Sequence, residues 1–277
     1  MKKTFTYSNA SIVYQTEGEG IPVVLLHGFG EDAGIWNQQV NFLKNHYRLI
    51  VPHFPGSGES VFLTNKESPA TTPHPPCTIE FYADCIYALL AHENITSCIM
   101  LGHSMGGYVA LAFAEAYPQL LKGYGLIHST AFADSAEKKQ NRQRSIEMIE
   151  QYGSYPFLKN TIPNLFGESY KKEHAEKVNA LIEQGNNFLP QALKQYSEAM
   201  MLRPDRTRVL KNTNLPVLFI MGTEDIATPM KDVLQQVHLP GIAYIHIFEN
   251  TGHMGMLESA EKMNSAILEF IKGITLE

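Results

Sequence analysis

Ser104 stands in the run Leu101-Gly102-His103-Ser104-Met105-Gly106-Gly107, a G-x-S-x-G pattern that closes an apolar stretch and opens a helical one. A serine exposed at the end of a strand must sit in a very tight turn, so its neighbours two residues away can carry no side chain. The helix that starts there points N–H groups and the positive end of its dipole at any negative charge developing nearby. A serine hydroxyl is a weak nucleophile near neutral pH; it needs a base, and the base needs an orienting acid. Among 11 histidines, His253 is singled out by the loop Asn250-Thr251-Gly252-His253-Met254-Gly255, which lies between the last strand pattern and the last helical pattern. His27 and His128 end apolar runs and His103 adjoins the serine, so these three are expected to line or buttress the site. His46, His74, His92, His174, His238 and His246 fit surface, loop or structural roles.

The acid is expected between serine and histidine, at a strand end on the same rim. Met221-Gly222-Thr223-Glu224-Asp225 offers two carboxylates there. The Gly-x-x-Asp spacing carries Asp225 around the turn and leaves Glu224 toward solvent, which makes Asp225 the preferred acid and Asp134 its rival. A tetrahedral oxyanion also needs donors aimed at it. Leu26-His27-Gly28-Phe29-Gly30 has glycines that let the backbone approach a ligand, so the N–H of Phe29 and that of Met105 are the expected pair. Gly28 belongs to the site lining.

These residues must be held by strand ends, and the chain has the pattern for it. Nearly continuous apolar runs at Val23–His27, Leu49–Pro52, Cys98–Leu101, Tyr124–His128, Val217–Met221 and Tyr244–Phe248 read as strands covered on both faces. Helices are expected at Trp36–Lys44, Ile79–Ala91, Met105–Ala116, Met230–Val237 and Glu258–Ile271, and Thr4–Tyr14 reads as a leading antiparallel hairpin. Alternation of this kind implies an α/β fold with a mostly parallel sheet. The proline-rich Thr64–Pro76 reads as a surface loop. Residues 131–208 are helical in pattern and rich in charged and amide residues, which makes them a helical cap on a core of 1–130 and 209–277.

The chain has 277 residues, 44% hydrophobic and 18% charged, with a formal net charge of −6. That mild acidity, with no long Lys/Arg cluster, argues against a nucleic-acid or anionic-membrane partner. No apolar run reaches membrane-spanning length, and Lys2-Lys3 has no apolar core behind it. Cys77, Cys85 and Cys98 form no CxxC pair and are expected to be reduced, in a cytoplasmic protein. No His-x-x-x-His pair with an adjacent Glu and no phosphate-binding glycine loop occurs, so no metal and no cofactor is expected, only a small-molecule substrate.

HGFG at 27–30, GHSMGG at 102–107, GTED at 222–225 and GHMG at 252–255 together resemble the α/β-hydrolase superfamily, in its chain order and across nearly all of the chain outside 131–208. The resemblance implies an eight-stranded sheet with a helical cap inserted after the sixth strand, a Ser104–Asp225–His253 triad, and an oxyanion hole from Phe29 and Met105. One departure is His53, which stands where related sequences often carry an aspartate ahead of Gly-x-Gly-x-Ser, and it bears on a local structural hydrogen bond. Serine at 104 also excludes relatives that form an ester on an aspartate. The leading expectation is hydrolysis of a small carboxylic ester through an acyl-enzyme. The alternatives are C–C bond, amide or perhydrolysis chemistry at the same triad, or a triad-bearing ligand receptor with vestigial turnover. Phe132, Tyr155, Phe157, Phe166, Phe188, Met200 and Met201 supply apolar material for a pocket or for packing within the cap. Arg142, Arg144 and Arg203 either bind a substrate carboxylate or sit on solvated helix faces.

Overall fold

A computed structural model describes residues 1–8, 10–62 and 78–275 of the chain; the loop expected at Thr64–Pro76, with His74, and Cys77 lie outside them. The apolar runs form strands β1 (Lys2–Tyr7), β2 (Ala10–Glu17), β3 (Pro22–Leu26), β4 (Arg48–Pro52), β5 (Val61–Phe62), β6 (Cys98–His103), β7 (Leu121–Ile127), β8 (Val217–Gly222) and β9 (Ala243–Phe248). All nine belong to one sheet of order β1-β2-β4-β3-β6-β7-β8-β9, with the two-residue β5 paired to β2 beside that path. β1, β2 and β5 pair antiparallel, as does β2 with β4, whereas β4, β3, β6, β7, β8 and β9 are parallel neighbours. The expected α/β fold with an eight-stranded, mostly parallel sheet is therefore present, and β5 is an addition that two residues could not announce.

Helices flank the sheet: α1 (Asn37–Leu43), α2 (Ile79–His92), α3 (Met105–Ala116), α4 (Ala136–Tyr152), α5 (Ser154–Thr161), α6 (Glu168–Glu173), α7 (Ala175–Gln184), α8 (Pro190–Leu202), α9 (Thr207–Asn212), α10 (Met230–Leu234), α11 (Gly255–Glu258) and α12 (Ala260–Thr275). Three differ from expectation. The helix expected at Trp36–Lys44 is a 3₁₀ turn over Ala33–Trp36 followed by α1, capped by the Asp32 carboxylate on the N–H of Gly34. The one expected at Met230–Val237 stops at Leu234. The last helix is broken between α11 and α12 at Ser259, whose φ of −133° is outside the helical range. No helix among the described residues is long and apolar enough to cross a membrane.

Burial follows position in the sheet. β6 and β8 are buried at every residue, as central parallel strands must be, while β9 at the edge exposes Ile245 and Ile247. Strand order reverses between β4-β3 and β6-β7, because β3 leads outward to β4 and the chain then returns to the other side of β3. At such a switch point the loops leaving neighbouring strands diverge and open a crevice beyond their carboxyl ends. Gly28 and Phe29 follow β3 there, and Ser104 follows β6.

Helices α4–α9 lie between β7 and β8, the sixth and seventh strands of the eight-strand path. Their entry and exit are tied together, since Arg206 N–H donates to Ala131 O at 2.8 Å. Ile149, Phe157, Leu158, Ile182, Leu193, Tyr196 and Met200 from these helices are buried in the same apolar cluster as the strands. Tyr196 OH also donates to Pro55 O at 2.8 Å, across to the loop after β4.

Candidate active site

Ser104 occupies the turn between β6 and α3 with φ 51° and ψ −114°, a region that costs a non-glycine residue about 1–3 kcal/mol. The surroundings hold it there. Its N–H donates to Ile127 O at 3.0 Å, and its carbonyl accepts from Gly107 N–H at 2.9 Å and from Ser129 Oγ at 2.7 Å. The glycines of the motif are required by close approach. A Cβ on Gly102 would lie 2.1 Å from Gly106 O, and one on Gly106 would lie 2.5 Å from Leu26 O.

His253 Nδ1–H donates to Asp225 Oδ2 at 2.9 Å, with both residues buried. Asp225 accepts three further hydrogen bonds: His128 Nδ1 at 3.0 Å on Oδ2, and the N–H groups of Ala227 and Thr228 at 2.9 and 2.8 Å on Oδ1. Burial alone would raise the Asp225 carboxyl, but His253 and His128 facing it hold it far below the usual carboxylate range. Burial opposes protonation of His253 too, yet Asp225 more than offsets it and raises the imidazole above the usual histidine value. The loop around His253 is anchored by its own N–H on Leu165 O at 2.6 Å and by Glu258, whose carboxylate accepts from the N–H groups of Gly167, Gly252 and Met254. Glu224 does not simply point to solvent, because its Oε2 accepts from Glu168 N–H at 2.8 Å.

His128, His27 and His103 sit behind the cavity rather than along it. His128, at φ 48° just past β7, shares Asp225 Oδ2 with His253 while its buried Nε2 has no partner among the described residues. Burial pushes its imidazole down to about 4, so the ring is neutral with the proton on Nδ1. His27 donates from Nδ1 to Gly28 O at 2.8 Å and accepts Phe54 N–H on Nε2 at 3.0 Å; burial brings it also to about 4. His103 bridges Glu31 Oε2, at 2.9 Å from Nδ1, and the carbonyl of His253, at 2.9 Å from Nε2. Glu31 is the residue that sequence reasoning missed, although it lies one position beyond HGFG. Its Oε2 also accepts Gly28 N–H at 2.7 Å and so braces the loop carrying Phe29. Despite its burial, the His103 ring facing it keeps the Glu31 carboxyl below its ordinary value. His53 takes over a local hydrogen bond, its Nδ1 accepting Ala33 N–H at 3.2 Å.

A cavity of about 190 Å³ is bordered by Ser104, His253, Phe29 and Met254 on the strand-end side. Phe157, Leu158, Ile162, Leu165 and Leu181 from the helical segment close it opposite, with Arg142 and Tyr108 also on its wall. The N–H groups of Phe29 and Met105 have no acceptor among the described residues. A cavity walled by a serine hydroxyl, an acid-oriented imidazole and Phe29, with the N–H of Met105 next in the chain to Ser104, is suited to attack on a carbonyl. Asp134 is elsewhere, paired with Arg142 and Arg203, so it does not reach His253. His128, Asp225 and His253 bring ligand-type atoms within 4.8 Å of one another. Asp225 Oδ2 already takes both Nδ1 protons, so a cation at that point has to displace both hydrogen bonds.

A family model described as alpha/beta hydrolase fold matches residues 21–260. The chain is 25% identical over 275 residues to an (E)-2-((N-methylformamido)methylene)succinate hydrolase of Acinetobacter baylyi, with 98% of each chain covered. It is 27% identical over 280 residues to a 2-hydroxy-6-oxo-6-phenylhexa-2,4-dienoate hydrolase of Comamonas testosteroni, covering 96% of this chain and 92% of that one. Among solved structures, a thermophilic esterase from Thermogutta terrifontis with malate bound superposes with a TM-score of 0.89 at 28% identity, covering 99% of both chains.

Proposed function

The chain belongs to the alpha/beta hydrolase fold family, and we propose that it is a serine hydrolase that cleaves a small carboxylic ester through an acyl-enzyme on Ser104. The observation that carries this reading is the buried His253–Asp225 hydrogen bond of 2.9 Å on the wall of the cavity into which the strained turn presents Ser104. Ser104 Oγ attacks the ester carbonyl while Nε2 of His253 accepts its proton. Asp225 keeps the other imidazole proton on Nδ1, which leaves the Nε2 lone pair for that transfer, and it stabilises the imidazolium that forms. The N–H groups of Phe29 and Met105 receive the oxyanion. His253 then protonates the leaving alcohol, and water repeats the two steps on the acyl-enzyme. Residues 131–208 act as a cap, a role supported by Phe157, Leu158, Ile162, Leu165 and Leu181, which they bring to the cavity.

The esterase among the similar structures supports the ester bond. The dienoate hydrolase supports a second reading, in which the same nucleophile acts at a C–C bond beside a ketone. A stopped-flow test with p-nitrophenyl acetate decides for or against the acyl-enzyme. The expected result is a burst of p-nitrophenol approaching one equivalent per chain, absent in Ser104→Ala. Equal, slow release by both proteins rules the mechanism out.

A further inference from the structure

We propose that Arg142 is the carboxylate-recognition residue of the cavity, and that the substrate is an ester carrying a free carboxylate on its acyl or alcohol part. This rests on the reading that the cavity beside Ser104 is the substrate site, and it names the chemical class that the site takes. Arg142 lies on α4 and borders the same cavity as Ser104 and His253. Most of the wall is apolar, with Phe29, Phe157, Leu158, Ile162, Leu165 and Leu181 on it. The other groups there that can carry charge near neutral pH are His253, committed to Asp225, and Glu31, whose Oε2 is committed to His103 and Gly28. The Arg142 side chain is partly buried, at 24% relative exposure, and the Asp134 carboxylate meets one side of its guanidinium.

Its orientation is built from behind. Arg142 Nε donates to Asp134 Oδ2 at 2.5 Å, and Asp134 itself is buried two residues ahead of α4. Asp134 Oδ1 faces Arg203 Nη1 at 2.8 Å, an ion pair whose angle falls outside hydrogen-bond geometry. Arg203 is locked in turn by donating to Met200 O and Phe132 O and by stacking 3.9 Å over the ring of Tyr108. Despite its burial, Asp134 is kept ionised by the two guanidiniums, with its carboxyl below the ordinary value. Two positive charges therefore share one negative charge, and the cluster is left with a net positive charge at its cavity end.

Guanidinium geometry then points to the ligand. The fork carries five N–H donors in a plane. With Nε committed to Asp134, the Nη1/Nη2 edge is left, and neither Nη has a partner among the described residues. That edge matches the two oxygens of a carboxylate in a bidentate pair, a fit that lysine does not reproduce. A scissile ester held over Ser104 would thus have its anionic end fixed by Arg142 and its apolar middle against the leucines and Phe157.

The test compares esters of matched length and opposite charge: mono-p-nitrophenyl glutarate and p-nitrophenyl valerate, with wild type, Arg142→Gln and Arg142→Lys. The expected wild-type kcat/KM ratio favours the anionic ester by at least about tenfold, as one charge-assisted pair allows. Arg142→Gln should bring that ratio to about one, and Arg142→Lys should leave it between the two. A ratio near one in wild type, or one unchanged in Arg142→Gln, overturns the proposal. Calorimetry with Ser104→Ala and monomethyl glutarate, against dimethyl glutarate, reads the site without turnover. If the esters are not hydrolysed at all, the hydrolase reading fails, and tighter binding of the monoanion that is lost in Ser104→Ala/Arg142→Gln still upholds the carboxylate site. Equal binding of both compounds overturns it.

Discussion

Replacing Asp225 by asparagine changes one oxygen for one NH₂ group, and the hydrogen bonds around the carboxylate fix the outcome. Oδ1 of Asp225 accepts two backbone N–H groups, from Ala227 and Thr228, so the asparagine carbonyl stays on that side. The new NH₂ then faces the Nδ1 atoms of both His253 and His128, which now donate to Oδ2. Each ring must move its proton to Nε2 to accept. In His253 this fills the lone pair that should take the Ser104 proton, and by analogy with other triads kcat should fall about 10⁴-fold, or about 5 kcal/mol of barrier. In His128 the proton would arrive on a buried Nε2 that has no partner among the described residues, which should cost about 1–3 kcal/mol of stability. Single-turnover acylation by a p-nitrophenyl ester reads the first effect and urea unfolding the second. Asp134→Asn is the control for the acid assignment. A loss below tenfold in folded Asp225→Asn, or an equal loss of acylation in Asp134→Asn, refutes the reasoning.

On the proposed mechanism His253 must be neutral to act, and because Asp225 raises it, kcat/KM should rise with pH through an apparent value above the ordinary 6.5 of histidine; an acid limb below that value contradicts the pairing. Stability should fall with acid as well, through His27 and His128. Both are buried neutral and held near 4, so the stability they contribute is present above about 6.5 and is lost as pH falls toward 4, about 3 kcal/mol each as an upper figure. His253 opposes this, since its raised value favours the folded state below about 6.5, and urea unfolding at pH 7, 5.5 and 4 gives the balance; a flat profile counts against both burials. Ser104→Gly should abolish acylation yet raise the unfolding free energy by about 1 kcal/mol, because glycine tolerates φ 51°. Gly106→Ala should cost more than about 2 kcal/mol by thermal unfolding, since its Cβ meets the carbonyl of Leu26 at 2.5 Å.

Legibility in the sequence tracked locality. The strands of the parallel core could be read because β3, β6 and β8 are buried on both faces and so are apolar at almost every residue. The turn at Ser104 could be read because its glycines answer contacts with residues close in the chain or with the neighbouring strand end. β5 and the break at Ser259 could not, since a two-residue pairing and a single non-helical dihedral leave no periodic trace. Glu31 was passed over for a related reason. Its worth lies in meeting His103, 72 positions away, and no local pattern records that.

Residue types and their order along the chain by themselves determined the fold class and a short set of candidates: Ser104, His253, two possible acids, and backbone donors at Phe29 and Met105. The sequence preferred Asp225 to Asp134, but the contact that separates the two acids is tertiary. Asp225 and Asp134 both follow strand ends, and only the parallel alignment of β7, β8 and β9 sets Asp225 against His253 and turns Asp134 toward two arginines. The same holds for Arg142. As a letter in a charged helix it can be a ligand-binding or a solvated side chain, and only the packing of α4 against α5 and α8 brings it to the wall of the cavity beside Ser104.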